Sequence, residues 1–310
     1  MEQLLILQGT MFILIFIGWF LLKYGIITKQ GQENLTDLVI YLILPCNIVK
    51  SFLIDFSEDI LRQCLDILIL SVLLQLFCVV FGKIFYRRHE PDRQKCLQYG
   101  IICSNAGFLG NPIAEGVFGT TGLLLASVSL IPQRIMMWSS GLTIFTGDNT
   151  ENGLTPHQRR VQVFKKVITH PCIIACILGL VLMISQWKLP AVLDTTLSHL
   201  GGCNTALSML VIGMILAEGN MKNIFDKDIW IYSLIRMVLI PGLLLIICRL
   251  IQLPDLVTGV SVLLAAMPAG ATTSILAAKY NRAPAFAAQL VVVSTVLSFV
   301  TSFIWSVVLV

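Results

Sequence analysis

The strongest constraint in this chain is the stretch Ser104-Asn105-Ala106-Gly107-Phe108-Leu109-Gly110-Asn111-Pro112, set inside an apolar run from Tyr99 to Val117. Pro112 removes a backbone donor and its ring clashes with the preceding turn, while Gly107 and Gly110 loosen the backbone. The stretch is expected to break a helix. In a bilayer, backbone groups freed in this way are tolerated only where protein buries them or a watered cavity meets them. The break therefore marks a site.

The bilayer itself is read from the rest of the chain. Of 310 residues, 56% are hydrophobic and 12% charged, with a mean hydropathy of +0.87. That charge content is about half the soluble average. A membrane span needs about 20 apolar residues. Ten runs qualify: Leu4–Leu22, Leu35–Ile54, Ile60–Phe85, Leu97–Phe118, Gly122–Phe145, Val167–Gln186, Leu197–Ala217, Ile229–Ile251, Val257–Lys279 and Ala285–Val310. The longest connection, Thr146 to Lys166, leaves no room for a soluble domain. Met1-Glu2 is not a basic leader, and the first run is long enough to span with no clear cleavage site after it. The nine cysteines, among them Cys46, Cys103, Cys203 and Cys248, are read as small buried hydrophobes. Cys172 and Cys176 lie one turn apart, but no His or acidic residue completes a metal set, so neither a metal nor a cofactor is expected.

Lys and Arg set the orientation. With the N-terminus outside, fifteen of the 21 fall in inside segments and three (Arg62, Lys188, Arg249) outside; Lys50, Arg134 and Arg236 fall within spans. Both termini are then outside the cytoplasmic membrane. Ten spans divide into two sets of five, residues 1–150 and 151–310, and an odd set must be inverted relative to its partner. The second break, Ala266-Met267-Pro268-Ala269-Gly270-Ala271-Thr272-Thr273-Ser274, falls in the ninth span, fourth of its own half. Interrupted helices at matching positions of inverted halves are the signature of secondary transporters with a site near the midplane. The expected fold is all-α, ten transmembrane helices in two inverted five-helix repeats, with broken, crossing fourth and ninth helices.

Four stretches give the chain a likeness. They are Leu44-Pro45 with Phe52, then Asn105 with Gly110 and Pro112, then Pro132-Gln133-Arg134-Ile135-Met136-Met137-Trp138, and Met267-Pro268-x-Gly270 followed by Ala278-Lys279-Tyr280-Asn281. In this ordered set the chain resembles the auxin efflux carrier family, which includes plant auxin carriers and bacterial permeases for malate and related acids. The resemblance implies a scaffold part and a transport part, with the fourth and ninth helices crossing at their prolines. It also implies elevator-like alternating access and a homodimer. By the same resemblance Asn105 contacts substrate at the crossing. The long hydrophilic central loop of the plant carriers is missing, so regulation through such a loop is not expected.

Half-helices that start at a break present unpaired N–H groups and the positive end of a dipole, which suits an anion. The expected substrate-binding residues are Asn105, Gly107, Gly110, Pro112, Pro268, Gly270, Thr272, Thr273, Arg134, Asn47 and Asn204. Asn105 either contacts substrate or caps a half-helix. Asn111 is read as structural. Arg134, near the centre of its span, either attracts a carboxylate or pairs with Glu115 or helix-end carbonyls. Trp138, one turn on, either stacks on it or packs on lipid. Lys50 is expected to snorkel to the outer face, and Arg236 in the same way to the inner one. Glu115 is a candidate for proton coupling. His170 and His199 are read as interfacial.

The function expected is secondary transport of a small organic anion, a carboxylate such as malate, malonate or an auxin-like acid, driven by H+ or Na+. The alternatives are a sodium-coupled symporter of the bile-acid type and a ligand sensor built on a transporter fold. Intramembrane catalysis would want paired Asp, a Ser–His pair or a zinc set inside the spans. The Asp residues lie mostly in loops and no HExxH occurs, so the chain is not read as an enzyme. Nor is a nucleic-acid partner expected.

Overall fold

The computed structural model of this chain describes residues 2–137, 142–146, 161, 164–165, 168–218 and 225–309. Trp138, Lys222 and most of the Thr146–Lys166 connection lie outside them. The regular structure is helical: α1 (Glu2–Lys23), α2 (29–51), α3 (Glu58–Phe85), α4 (Pro91–Ile102), α5 (Ala106–Met136), α6 (Leu142–Thr146), α7 (Pro171–Ser185), α8 (Ala191–Gly202), α9 (Asn204–Glu218), α10 (Lys227–Leu250), α11 (Asp255–Ala265), α12 (Thr272–Lys279) and α13 (Pro284–Leu309). Six stretches are long and apolar enough to cross a membrane: Leu5–Lys23, Glu58–Arg88, Ala106–Met136, Ala191–Glu218, Lys227–Leu250 and Pro284–Leu309. Pro171–Ser185 and Asp255–Ala265 are apolar but shorter. Large apolar side chains such as Phe12, Leu73, Ile246 and Val300 are exposed around the outside, as a lipid-facing belt requires.

Pro112 does not break its helix. The break lies earlier, at Cys103–Asn105, where Cys103 adopts an extended backbone (φ −110°, ψ 93°). The helix then runs through Pro112 because a π turn, Ala106–Gly110, precedes it. The Asn111 N–H reaches back to the Ala106 carbonyl, one residue further than in an α-helix. The same device precedes Pro45, with Leu44 bonded to Val39, and Pro241, with Ile240 bonded to Ile235. A proline ring clashes with the carbonyl four residues back and cannot bond it; the wider turn moves that carbonyl aside. The second break is where the sequence places it: residues 266–271, around Pro268, are non-helical.

Gly119 takes φ 68° and ψ −162° within α5. A Cβ added at Gly122 would lie 2.6 Å from the Ala114 carbonyl oxygen. Eight residues of straight helix would separate those positions by about 12 Å. The chain therefore folds back at Gly119, and α5 is a hairpin of two helices.

The helices pack through small residues. α1 lies along α9, where Gly18 meets the backbone of Leu210 and Gly213 meets the backbone of Ile15 and Trp19. Apolar tails solvate apolar helices as well as other helices do, so membrane helices associate where small residues let backbones approach. The end of α2 packs on α7 and α8, α3 on α5, and α11 on α5 and α10. Two large apolar clusters result. One holds Met11, Ile48, Phe52, Ile113 and Met267; the other holds Cys103, Tyr232, Ala269 and Leu290.

Lys50 does not simply snorkel. Its Nζ lies 2.6 Å from the Asp194 carboxylate on α8, an ion pair that compensates both charges at this depth. Cys203 is exposed, unlike the other eight cysteines, because it sits at the junction where α8 ends and α9 begins. All nine are free thiols.

Any side chain at Gly213 would collide with the Ile15 carbonyl. Gly213→Ala is expected to lose about 1–3 kcal/mol of stability by overpacking. Gly9→Ala, on the same pair but with no heavy atom within 4 Å of the added Cβ, is expected to lose none. Thermal unfolding of the purified variants in detergent checks this; equal midpoints for both would show that α1 and α9 part freely.

Candidate functional site

The two breaks meet. Ser104 and Ala269 form an isolated antiparallel bridge. The Asn105 N–H donates to the Pro268 carbonyl at 2.8 Å, and the Gly270 N–H donates to the Cys103 carbonyl at 3.0 Å. A Cβ at Gly270 would lie 3.0 Å from that Cys103 oxygen, closer than most Cβ contacts, so the approach favours a residue without one. Side chains satisfy the groups that remain. Gln133 Nε2 donates to the Ser104 carbonyl at 2.7 Å, and Ser104 Oγ donates to Gln133 Oε1 at 3.0 Å. The Ala269 N–H donates to Ser294 Oγ at 3.2 Å, and Tyr232 Oη donates to the Gly100 carbonyl at 2.8 Å.

Arg236 completes this knot, and the snorkelling expectation for it is wrong. It is 1% exposed and reaches inward. Nε donates to the Met267 carbonyl at 3.2 Å and Nη1 to the Ile101 carbonyl at 3.0 Å. These are carbonyls at the C-terminal ends of the first half-helices, α4 and α11. Each such end carries the negative pole of a helix dipole, and one guanidinium serves both. That is why a cation is stable two turns inside an apolar span.

The N-terminal ends of the second half-helices, at Asn105 and Ala271, are left for another partner. Beside them lies a cavity of about 350 Å3, within the range of small-molecule sites. The breaks contribute Ser104, Asn105, Gly107, Gly270 and Thr272 to its wall. Arg134 and Gln133 of α5, His170 and Cys172 at the start of α7, and Asp37 of α2 add polar groups. Ile40, Tyr41, Leu44, Phe108, Leu130, Ile275 and Leu276 make the rest apolar.

Arg134 is 7% exposed, and its Nη1 has no hydrogen-bond partner among the described residues. Glu115 forms no ion pair with it among the described residues; its carboxylate accepts from Asn47 Nδ2 at 3.1 Å. His170 Nδ1 caps α7 by accepting from the Cys172 N–H at 3.3 Å, which leaves Nε2 as its donor. Tyr99 Oη and Thr272 Oγ1 sit side by side behind the break, neither in a well-aligned hydrogen bond. A buried guanidinium with an open N–H, beside two helix N-termini, is an anion-binding arrangement.

Known sequences resemble this one along its length. The family described as membrane transport protein matches residues 6–306. The chain belongs to the auxin efflux carrier family. An uncharacterised transporter of Methanothermobacter thermautotrophicus is 26% identical over 303 residues, 96% of this chain and 95% of its own length. One of Methanocaldococcus jannaschii is 25% identical over 94% of each chain. The uncharacterised transporter YfdV of Escherichia coli is 22% identical, over 87% of this chain and 86% of its own.

In this auxin efflux carrier family member, the structure gathers five of the expected residues at one cavity: Asn105, Gly107, Gly270, Thr272 and Arg134. Pro268 supports it through its carbonyl. The other five do not line it. Gly110 packs on α11, where a Cβ would lie 2.7 Å from Leu264. Pro112 and Thr273 are buried in helix. Asn47 is held by Glu115, and Asn204 accepts from Ser208 Oγ at 3.2 Å. Sequence reasoning missed Gln133, Tyr99 and Ser294. Gln133 stands next to Arg134 in the Pro132–Trp138 stretch, so its signal was present; Ser294, one serine among many in α13, carries none.

Replacing Arg236 with an apolar residue strands two carbonyls. Each unsatisfied buried group costs about 1–3 kcal/mol. Arg236→Met is therefore expected to unfold at a much lower temperature, with Arg236→Lys, which keeps one contact, in between. An Arg236→Met chain as stable as the native one would mean that the knot holds without it.

Proposed function

We propose that this family member is a secondary transporter of an organic anion, and that its preferred cargo is a monocarboxylate with an apolar body. The observation that carries the reading is Arg134, buried and with an open N–H, in a cavity walled by both helix breaks. The carboxylate sits against Arg134 and Asn105, within reach of the dipoles at Asn105 and Ala271. Ile40, Leu44, Phe108, Ile275 and Leu276 take the apolar remainder. Asp37 at the exposed mouth adds negative charge that disfavours a second carboxylate.

The architecture of this reading is ten spans in two inverted repeats. Two pairings support it. The first span packs on the seventh (α1 on α9), and the second packs on the sixth (α2 on α7), which is the pair that the repeat operation produces. Gln133, Arg236 and Ser294, from the fifth, eighth and tenth spans, all bond the breaks. Those spans therefore move with the fourth and ninth as a transport unit, while the first, second, sixth and seventh form the scaffold. The cargo moves when that unit slides past the scaffold. The excess of Lys and Arg in alternate connections supports both termini outside, and the family resemblance supports a homodimer.

The test is thermal stability of the purified protein against mono- and dicarboxylates, with and without sodium. A ligand at a hundred times its dissociation constant stabilises by about 2.7 kcal/mol. Apolar monocarboxylates are expected to shift the midpoint upward, dicarboxylates less. Arg134→Gln is expected to abolish the shift and Asn105→Ala to reduce it. Stabilisation by neutral or cationic compounds alone, or an undiminished shift in Arg134→Gln, overturns the anion reading. A shift that requires sodium makes the protein a symporter.

A further inference from the structure

We infer that Glu115 is a proton-binding site that controls access to the cavity, and that it lies on the membrane face opposite the cavity mouth. The inference rests on the alternating-access reading above but not on the identity of the cargo.

Three observations carry it. The first is position. α2 lines the cavity from Asp37 to Leu44, and Asn47 lies about one turn further along the same helix. Likewise α5 lines it at Gly107 and Phe108, while Glu115 lies two turns further on, close to the turn at Gly119. The pair thus sits beyond the cavity, on the far side from its mouth. The second is connectivity. Asn47 Nδ2 donates to Glu115 Oε2 at 3.1 Å, joining α2 to the second half of the broken helix. Asn47 is 4% exposed and is backed by α8, where a Cβ at Gly201 would lie 3.1 Å from its Cα and 3.2 Å from Oδ1. The amide cannot retreat. The third is charge. Glu115 is partly buried and takes part in no salt bridge among the described residues.

The elements packed on α5 carry other charges. α2 has Lys50, which is paired with Asp194 of α8 at 2.6 Å. α11 has Asp255, which is paired with Arg249 at 2.6 Å. α3 has Glu58, Asp59, Arg62, Asp66 and Lys83, α9 has Glu218, which is paired with Lys29 at 3.6 Å, α1, whose Leu7 meets Gly116, has Glu2 and Lys23, and α7 has only the thiols Cys172 and Cys176. None forms an ion pair with Glu115.

A carboxyl with no cation beside it and one neutral amide for a partner is proposed to carry its proton while the far face is closed. When that face opens, water reaches it and the proton leaves to water, giving a hydrated carboxylate. The closed state binds one proton more than the open one, so acid on that face favours the conformation described here and alkali favours its opposite.

The experiment reads conformation directly. A Gly107→Cys thiol faces the cavity, where an added Cβ meets no heavy atom within 4 Å. Cys203→Ser removes the exposed native thiol. The full chain in sealed vesicles, with equal pH on both sides, is labelled from the cavity-mouth side alone with a charged, membrane-impermeant thiosulfonate at about pH 5.5 and about pH 8, on either side of the ordinary histidine value. Rates are divided by those of the same protein carrying Glu115→Gln, which removes the pH dependence of the thiol itself. The ratio is expected to fall at least about threefold at the higher pH, and Glu115→Asp is expected to behave as the parent. A ratio that does not change with pH overturns the proposal. So does a change that appears only with sodium present, which would make the site a cation site. The readout uses no cargo, so failure of the carboxylate panel and failure of this switch are separate results.

Discussion

Backbone groups released inside an apolar medium must find partners, and that requirement organises this protein. Breaking one helix in a membrane frees carbonyls and N–H groups that lipid cannot satisfy. Here two broken helices satisfy each other. Asn105 bonds Pro268, Gly270 bonds Cys103, and Gln133, Ser294, Tyr232 and Arg236 take most of what is left. The side-chain partners lie on α5, α10 and α13, so the knot also sets how those helices are grouped. The closeness of Gly270 to the Cys103 carbonyl and the packing of Gly110 on α11 follow from the same need.

The electrostatics divide along the same line. Four half-helix ends converge on the knot, two negative and two positive. Arg236 answers the negative pair through the Ile101 and Met267 carbonyls. The positive pair faces the cavity, where Arg134 adds a further positive charge. Two arginines within apolar spans thus have opposite duties. One is consumed by the protein's own backbone, and the other has an N–H with no partner among the described residues.

Much of this was legible in residue order. Proline and glycine inside apolar runs located both breaks, because at that depth a continuous helix is built from residues that keep every backbone bond. Asn105, Gly270 and Thr272 were singled out beside those breaks and Arg134 as a charge in mid-span, and the structure places all four at one cavity. Other features were not legible. Pro112 looked like the breaker, yet a π turn one step earlier absorbs it, and π turns have no composition of their own. Arg236 looked like a snorkelling side chain because distance from a helix end is visible in sequence, whereas the direction of a side chain is not. Lys50 found Asp194, a residue far away in the chain. Asn47 and Asn204 were placed at the site by repeat logic, which matches positions but not the packing that occupies them.

The antiparallel bridge at Ser104 and Ala269 also bears on what a carrier of this kind can accomplish. Asn105, Gly270 and, through Gln133, the helix of Arg134 are tied into one hydrogen-bonded body. Under the sliding motion proposed above, a body that travels whole would present the same polar grip at either membrane face, and any difference in affinity between the faces would have to come from the wall that α2 and α7 contribute, chiefly Ile40, Tyr41 and His170.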